Sequence, residues 1–349
     1  MKILVEILHP AHVHVFRNAI QHWRDRGDEV LILSREKDCA IPLLDAYGLP
    51  HTSISSIGTR KGALFIEMGV RFTRMMKLAR RFQPDLLIGI MGVTIAPVGK
   101  CLRKPALVFY DTENAGITNR FVYPLAHLVL TPDCYQGKVK GRHETYPGYH
   151  ELAYLHPERF TPDPAIARAA GVEPDEPYFL VRFVSWQASH DIGETGLTPD
   201  VKRQLVEKLS ARGRVLISSE GPLPHDLECL RFASPPEQIH HVMAFANLLV
   251  GESATMASES AVLGVPAFFI SETGRGYTDE QQARYGLVYN FKASRAREAL
   301  DTLDTLLQNP NLQTEAREKQ ARLLNDKVDT TAWIIERLDT LLHSESECP

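Results

Sequence analysis

The chain has 349 residues, 44% of them hydrophobic and 23% charged, and a formal net charge of -4. That composition excludes a disordered or fibrous chain, and the lack of a basic excess argues against nucleic acid as a partner. The length exceeds what one core usually organises, so two domains are expected.

The five cysteines (Cys39, Cys101, Cys134, Cys229 and Cys348) form no CxxC pair and no metal spacing. They read as reduced thiols of a cytoplasmic protein. The opening MKILVEILHP breaks its apolar run at a histidine and a proline, too early for a secretory segment. No later stretch reaches the roughly 20 apolar residues of a membrane span, which leaves surface contact as the only expected route to a bilayer.

Short apolar runs then alternate with helical patterns: a strand at residues 2–8, a helix at 13–26 and a strand at 29–34. Further strands are predicted at 51–54, 85–89, 106–109 and 127–130, mostly separated by helices, which is the grammar of a parallel, doubly wound sheet. From Tyr146 the segment YPGYHELAYLHPERFTPDP loses both periodicities, and the domain junction is placed there, with domains over 1–150 and 151–349. A second series runs through strands at 178–184, 214–218, 247–250 and 266–270 and ends in helices over 294–342. Whether the last helix crosses back to the first domain stays open.

The most informative stretch is NLLVGESATMASESAVLGVPAFFI, residues 247–270. A strand enters the turn Gly251-Glu252-Ser253-Ala254-Thr255, followed by Met256 and a small-residue helix, and unpaired N–H groups at such a start favour an anion. In this reading the Thr255 and Met256 amides take a diphosphate, Ser253 and Thr255 add hydroxyls, and Glu259 accepts hydrogen bonds from a ribose. The plainer reading has Ser253 or Thr255 as the cap, Glu259 completing a capping pair and Gly264 ending the helix. The small residues Gly251, Ala254 and Ala257 favour the ligand.

This segment resembles the nucleotide-binding segment of GT-B glycosyltransferases and of hydrolysing UDP-N-acetylglucosamine 2-epimerases. Together with HPAHVHVFRNAI, the junction, FLVRFVSWQASHD, LISSEGPLP, QIHHVMAFA and ARYGLVYNF, it resembles domain of unknown function 354 over nearly the whole chain. The resemblance implies an α/β chain of GT-B architecture, two Rossmann-like domains with a ligand cleft between them. It also implies a nucleotide-sugar ligand, most often UDP-linked.

In that layout the loop after the first strand, with His9, Pro10, His12 and His14, faces the ligand. His12 is expected to act as a base; His14, two residues on, points differently, so only one of the two reaches the reaction centre, and His14 reads equally as a helix-start histidine bonding to backbone. The HxH spacing lacks a third ligand, so no metal is expected. Trp186, His190 and Asp191 follow the second domain's first strand, and Asp191 either orients a catalytic His190 or holds a turn. Ser218, Ser219 and Glu220 occupy the matching place after the next strand, as ligand contacts or as an ordinary polar loop. Asp111 and Glu113 are acceptor-side acids or caps, and His240 and His241 rank lower as helix histidines.

Residues 64–82 form an amphipathic helix whose polar side carries Arg71, Arg74, Lys77, Arg80 and Arg81. That side is either plainly solvated or a peripheral contact for anionic lipid. No Walker loop, HExxH, GxSxG or DxD occurs, which disfavours the enzymes built on them. The expected function is metal-independent sugar transfer from a nucleotide-sugar donor to an unspecified acceptor, with no separate cofactor. The alternatives are a hydrolysing UDP-amino-sugar 2-epimerase and a non-catalytic nucleotide-sugar-binding protein.

Overall fold

Apolar runs such as ILV at 3–5 and LLIGI at 86–90 leave no polar face, and strands of that kind are covered on both sides. The computed structural model, which describes residues 1–56, 63–113, 116–184 and 196–346, shows that outcome twice. Contacts divide the chain into Met1–Tyr154 with Val328–Pro349, and Leu155–Lys327.

The first unit holds β1 (Lys2–Ile7), β2 (Glu29–Glu36), β3 (His51–Ser56), β4 (Leu86–Ile90), β5 (Ala106–Phe109), β6 (Leu128–Pro132) and β7 (His143–Tyr146). They form one parallel sheet in the order β3-β2-β1-β4-β5-β6-β7. The order reverses between β1 and β4, so the carboxyl ends of these two strands flank the crevice where open α/β sheets bind ligands. The segments leaving those ends carry His12 and Thr94.

The second unit holds β8 (Tyr178–Phe183), β9 (Arg214–Ser219), β10 (Leu248–Gly251), β11 (Ala267–Ile270) and β12 (Val288–Phe291). Its parallel sheet runs β12-β11-β10-β8-β9 and reverses between β8 and β10. The turn from β10 into the helix Ala254–Val262 therefore leaves the sheet at its switch point. A core of Val181, Phe183, Val250, Phe268 and Leu300 fills one face of this sheet.

The predicted strands fall within two residues of those observed, while the first helix begins earlier, at Pro10. His9 Nδ1 caps Ala11 N–H at 3.2 Å, and proline suits the first helical position because it has no N–H to satisfy. The closing helix Thr330–Ser346 lies in the first unit, so the second unit ends at Lys327 rather than at the terminus. Thr330 and Thr331 hydroxyls donate to the carbonyls of Tyr149 and Ala153 at 2.7 Å each, Arg26 forks onto Asp339 at 2.9 and 2.7 Å, and Trp333 packs on Tyr146.

One expectation for the helix Ala63–Phe82 is corrected. Arg71 does not belong to its polar side: it is buried, donates from Nε to Thr94 Oγ1 at 2.7 Å and faces Glu67 at 3.5 Å, so it is unavailable to lipid. Arg74, Lys77, Arg80 and Arg81 remain exposed.

Gly251 is required where β10 passes β8, because a Cβ there would lie 2.2 Å from the Arg182 carbonyl oxygen. Gly69, in the Ala63–Phe82 helix, has open space around it. Gly251→Ala is expected to lower stability by about 1–3 kcal/mol through overpacking. Gly69→Ala should leave stability unchanged or raise it by up to about 1 kcal/mol. Melting of both variants by circular dichroism checks the contrast, and equal melting points would contradict the close approach.

Candidate functional site

The second unit contributes a helix start with selected donors. Ser253 has extended backbone angles and its Oγ accepts Met256 N–H at 3.3 Å, the geometry of an N-cap. The cap occupies one amide that the sequence reading assigned to a diphosphate, which corrects Met256 as an anion donor. The first amides of a helix have no intrahelical acceptor, so those of Ala254 and Thr255 remain at its half-buried beginning. Gly264, at φ +75, ends the helix.

Two neighbouring assignments change for physical reasons. Gly251 provides clearance for the β8 backbone rather than for a ligand. Glu252 is buried, and its two carboxylate oxygens accept the N–H groups of Val184 at 3.0 Å and Leu197 at 2.6 Å, with Lys202 Nζ at 3.8 Å. It braces the two ends of the connection after β8, so its oxygens are spent on the backbone.

Glu259 is neither a capping partner nor solvent-facing. Its Oε1 lies 2.9 Å from His240 Nε2, and both side chains are buried. His241 packs on Phe160 and accepts Asp163 N–H at 3.0 Å through Nδ1, which makes it a brace in the packing beside the pair. At the end of β9, Ser219 donates to the carbonyl of Gly221 at 3.0 Å, and Glu220, just beyond the strand, pairs with Arg182, which also donates to Ser218 Oγ at 2.8 Å. Trp186, His190 and Asp191 lie outside the described residues.

The first unit assembles a different chemistry. His12 is buried in the first helical turn after β1, and its Nδ1 accepts Leu8 N–H at 3.2 Å. Burial, followed by the neighbouring His9, His150 and Lys37, holds its pKa well below the usual histidine value against a smaller pull from Asp111. The ring is therefore neutral with its proton on Nε2, and it is a donor in this arrangement. The expectation that His12 acts as a base is corrected accordingly. His14 points elsewhere, stacked on Tyr154 at 5.1 Å and edge-on to Tyr47.

Asp111 finds a partner that sequence reasoning missed. Its Oδ2 lies 2.9 Å from Nδ1 of buried His150, while Thr112 donates to Oδ1 at 3.0 Å. Burial works against the His150 imidazolium, yet the charge and hydrogen bond of Asp111, with Glu151, carry its pKa above the ordinary value. Glu113 accepts Gln136 N–H at 3.3 Å. The available signal was a histidine in the aperiodic junction, but nothing in its spacing linked it to Asp111.

A family model described as a protein of unknown function, DUF354, matches residues 1–273. The chain belongs to the DUF354 family. Among curated relatives of this DUF354 chain, a UDP-N-acetylglucosamine--N-acetylmuramyl-(pentapeptide) pyrophosphoryl-undecaprenol N-acetylglucosamine transferase of Halorhodospira halophila is 28% identical over 282 residues, 74% of each chain.

Two solved structures superimpose on nearly all of it. Spinosyn forosaminyltransferase matches with a TM-score of 0.65 at 13% identity, over 98% of this chain and 99% of its own. A UDP-GlcNAc 2-epimerase from Neisseria meningitidis bound to UDP-GlcNAc matches with a TM-score of 0.71 at 11% identity, over 98% and 100%. The DUF354 chain thus has the GT-B fold and is glycosyltransferase-like. Among its described residues no helix is long and apolar enough to cross a membrane.

The state of His12 predicts an acid limit to stability. Unfolding returns the ring to its ordinary pKa of 6.5, so below that pH the unfolded chain gains a proton that the folded chain does not, and stability falls. His12→Asn should flatten this dependence between about pH 6.5 and 5. Denaturant unfolding of both proteins across that range measures the slopes, and parallel slopes would show that His12 is not held neutral.

Proposed function

We propose that the chain transfers a sugar from a UDP-linked donor to an acceptor, without a metal. The observation that carries this reading is the half-buried start of the Ala254–Val262 helix at the switch point of the second sheet, where Ser253 caps the third amide and the first two have no acceptor within the helix. Such N–H groups, at the positive end of the helix, are suited to a diphosphate and to the charge that grows on it as the sugar departs.

Glu259, one to two turns further in, is assigned to the ribose hydroxyls, with His240 fixing the carboxylate. The first unit supplies the proton-handling groups, among them His12 as a donor and Asp111 in its pair with His150. Glu113 is the remaining acceptor-side acid. Support from outside the chain comes from relatives and structural neighbours whose names specify UDP-sugar chemistry.

The epimerase reading is kept because a 2-epimerase carries the higher TM-score of the two structures compared. Release of UDP with an epimerised sugar and no acceptor present would favour it over transfer.

Glu259→Ala tests the nucleotide assignment. Loss of a charge-assisted bond to a ribose hydroxyl is worth about 1.5–3 kcal/mol, so UDP affinity should fall about tenfold or more. The same variant leaves His240 without its carboxylate and should also melt earlier. Glu259→Gln, which keeps the shape, separates the two effects. Titration calorimetry with UDP, beside circular dichroism melts, reads both, and wild-type affinity in folded variants would remove Glu259 from the site.

A further inference from the structure

His150 is built as one half of a proton-transfer pair. A carboxylate only accepts, so Asp111 fixes the first proton of the ring on Nδ1, and Nε2 is the atom at which a second proton is gained or lost. That Nε2 is buried and has no hydrogen-bond partner among the described residues. A histidine kept only for packing normally has both nitrogens satisfied. The ring lies parallel to Tyr146, at 17°, and is tilted against Phe109, so its orientation is set by packing as well as by Asp111.

The charged and titratable groups bearing on it come from several segments: Asp111 after β5, Glu151 beside it in sequence, and His12 in the first helical turn after β1. The two carboxylates favour the imidazolium. His12, neutral with its proton on Nε2, offers no positive charge against it.

We propose that Asp111 and His150 form the acid–base pair of the sugar chemistry, with His150 Nε2 taking the proton of an acceptor hydroxyl. The inference rests on the nucleotide-sugar reading above. As the acceptor oxygen bonds to the anomeric carbon, the bond from that carbon to the diphosphate oxygen breaks. The bonding electron pair leaves with the diphosphate, and the acceptor proton passes to Nε2. The acceptor class is an alcohol or, in hydrolysis, water. Asp111 acts through the imidazole as a positioning residue.

The test uses the full chain with UDP-, GDP-, CDP- and dTDP-sugars as probes and follows nucleotide release in water, alongside calorimetric binding of the matching nucleotide. His150→Gln should lose about 10²- to 10⁴-fold in release rate with nucleotide affinity within about twofold of wild type. The base works when neutral, so the wild-type rate should rise with pH through a midpoint above that of an ordinary histidine. Asp111→Asn should lower the plateau and move that midpoint to lower pH, which a purely structural pair would not do.

Should His150→Gln fail to fold, the wild-type and Asp111→Asn pH profiles carry the test. Wild-type turnover in folded His150→Gln, or a midpoint unmoved in Asp111→Asn, overturns the assignment while nucleotide binding persists. Absence of both nucleotide binding and release in the wild type overturns the nucleotide-sugar reading itself, and the role of the pair falls with it.

Discussion

Glu252 places a carboxylate out of reach of water, and the backbone N–H groups of Val184 and Leu197 are aimed at it. A buried carboxylate is tolerated only when its oxygens are taken up, and here two backbone donors and the Lys202 ammonium do so. The consequence is mechanical. The ends of the connection after β8 are tied to the turn after β10, on the two strands between which the sheet reverses. Gly251 permits the approach, since any Cβ there would collide with the Arg182 carbonyl. The start of the Ala254 helix is thereby held before any ligand arrives, and donors that need no rearrangement are the useful ones for a developing charge.

The first unit separates two histidines by environment rather than by distance in sequence. His12 is buried with an N–H donor at Nδ1, which favours the neutral ring, while His150 is buried with a carboxylate at Nδ1, which favours the cation. The two environments push their imidazoles in opposite directions, one toward the neutral ring and the other toward the cation. Both follow carboxyl ends of the parallel sheet or the junction that closes the unit, and the closing helix Thr330–Ser346 secures that junction through Tyr149 and Ala153.

The α/β architecture was legible because buried parallel strands such as LLIGI and NLLVG are continuous apolar runs between turn residues. Two short strands were not: β7 reads HETY and β12 reads VYNF, sequences with no sustained apolar pattern, placed by pairing at the sheet edges. The turn after β10 was recognisable from its strand, cap and small residues, but composition does not say which polar atoms the protein itself consumes. Glu252 and the Met256 amide were both read as ligand contacts and both serve the chain. Arg71 shows the same limit, since helical spacing places it on a face while Thr94, brought in by another loop, draws it inward. The pairing of Asp111 with His150 depends on the fold bringing the end of β5 to the junction.

The central claim is that the Ala254 and Thr255 amides hold the diphosphate. Amide spectra of the isotopically labelled full chain, recorded while UDP is added, test it most directly. The account predicts that the signals of Ala254 and Thr255 move most within the Ala254–Val262 helix, saturating with the calorimetric affinity, while Met256, already capped by Ser253, moves less. Saturable binding that leaves Ala254 and Thr255 unmoved and shifts another segment would contradict it.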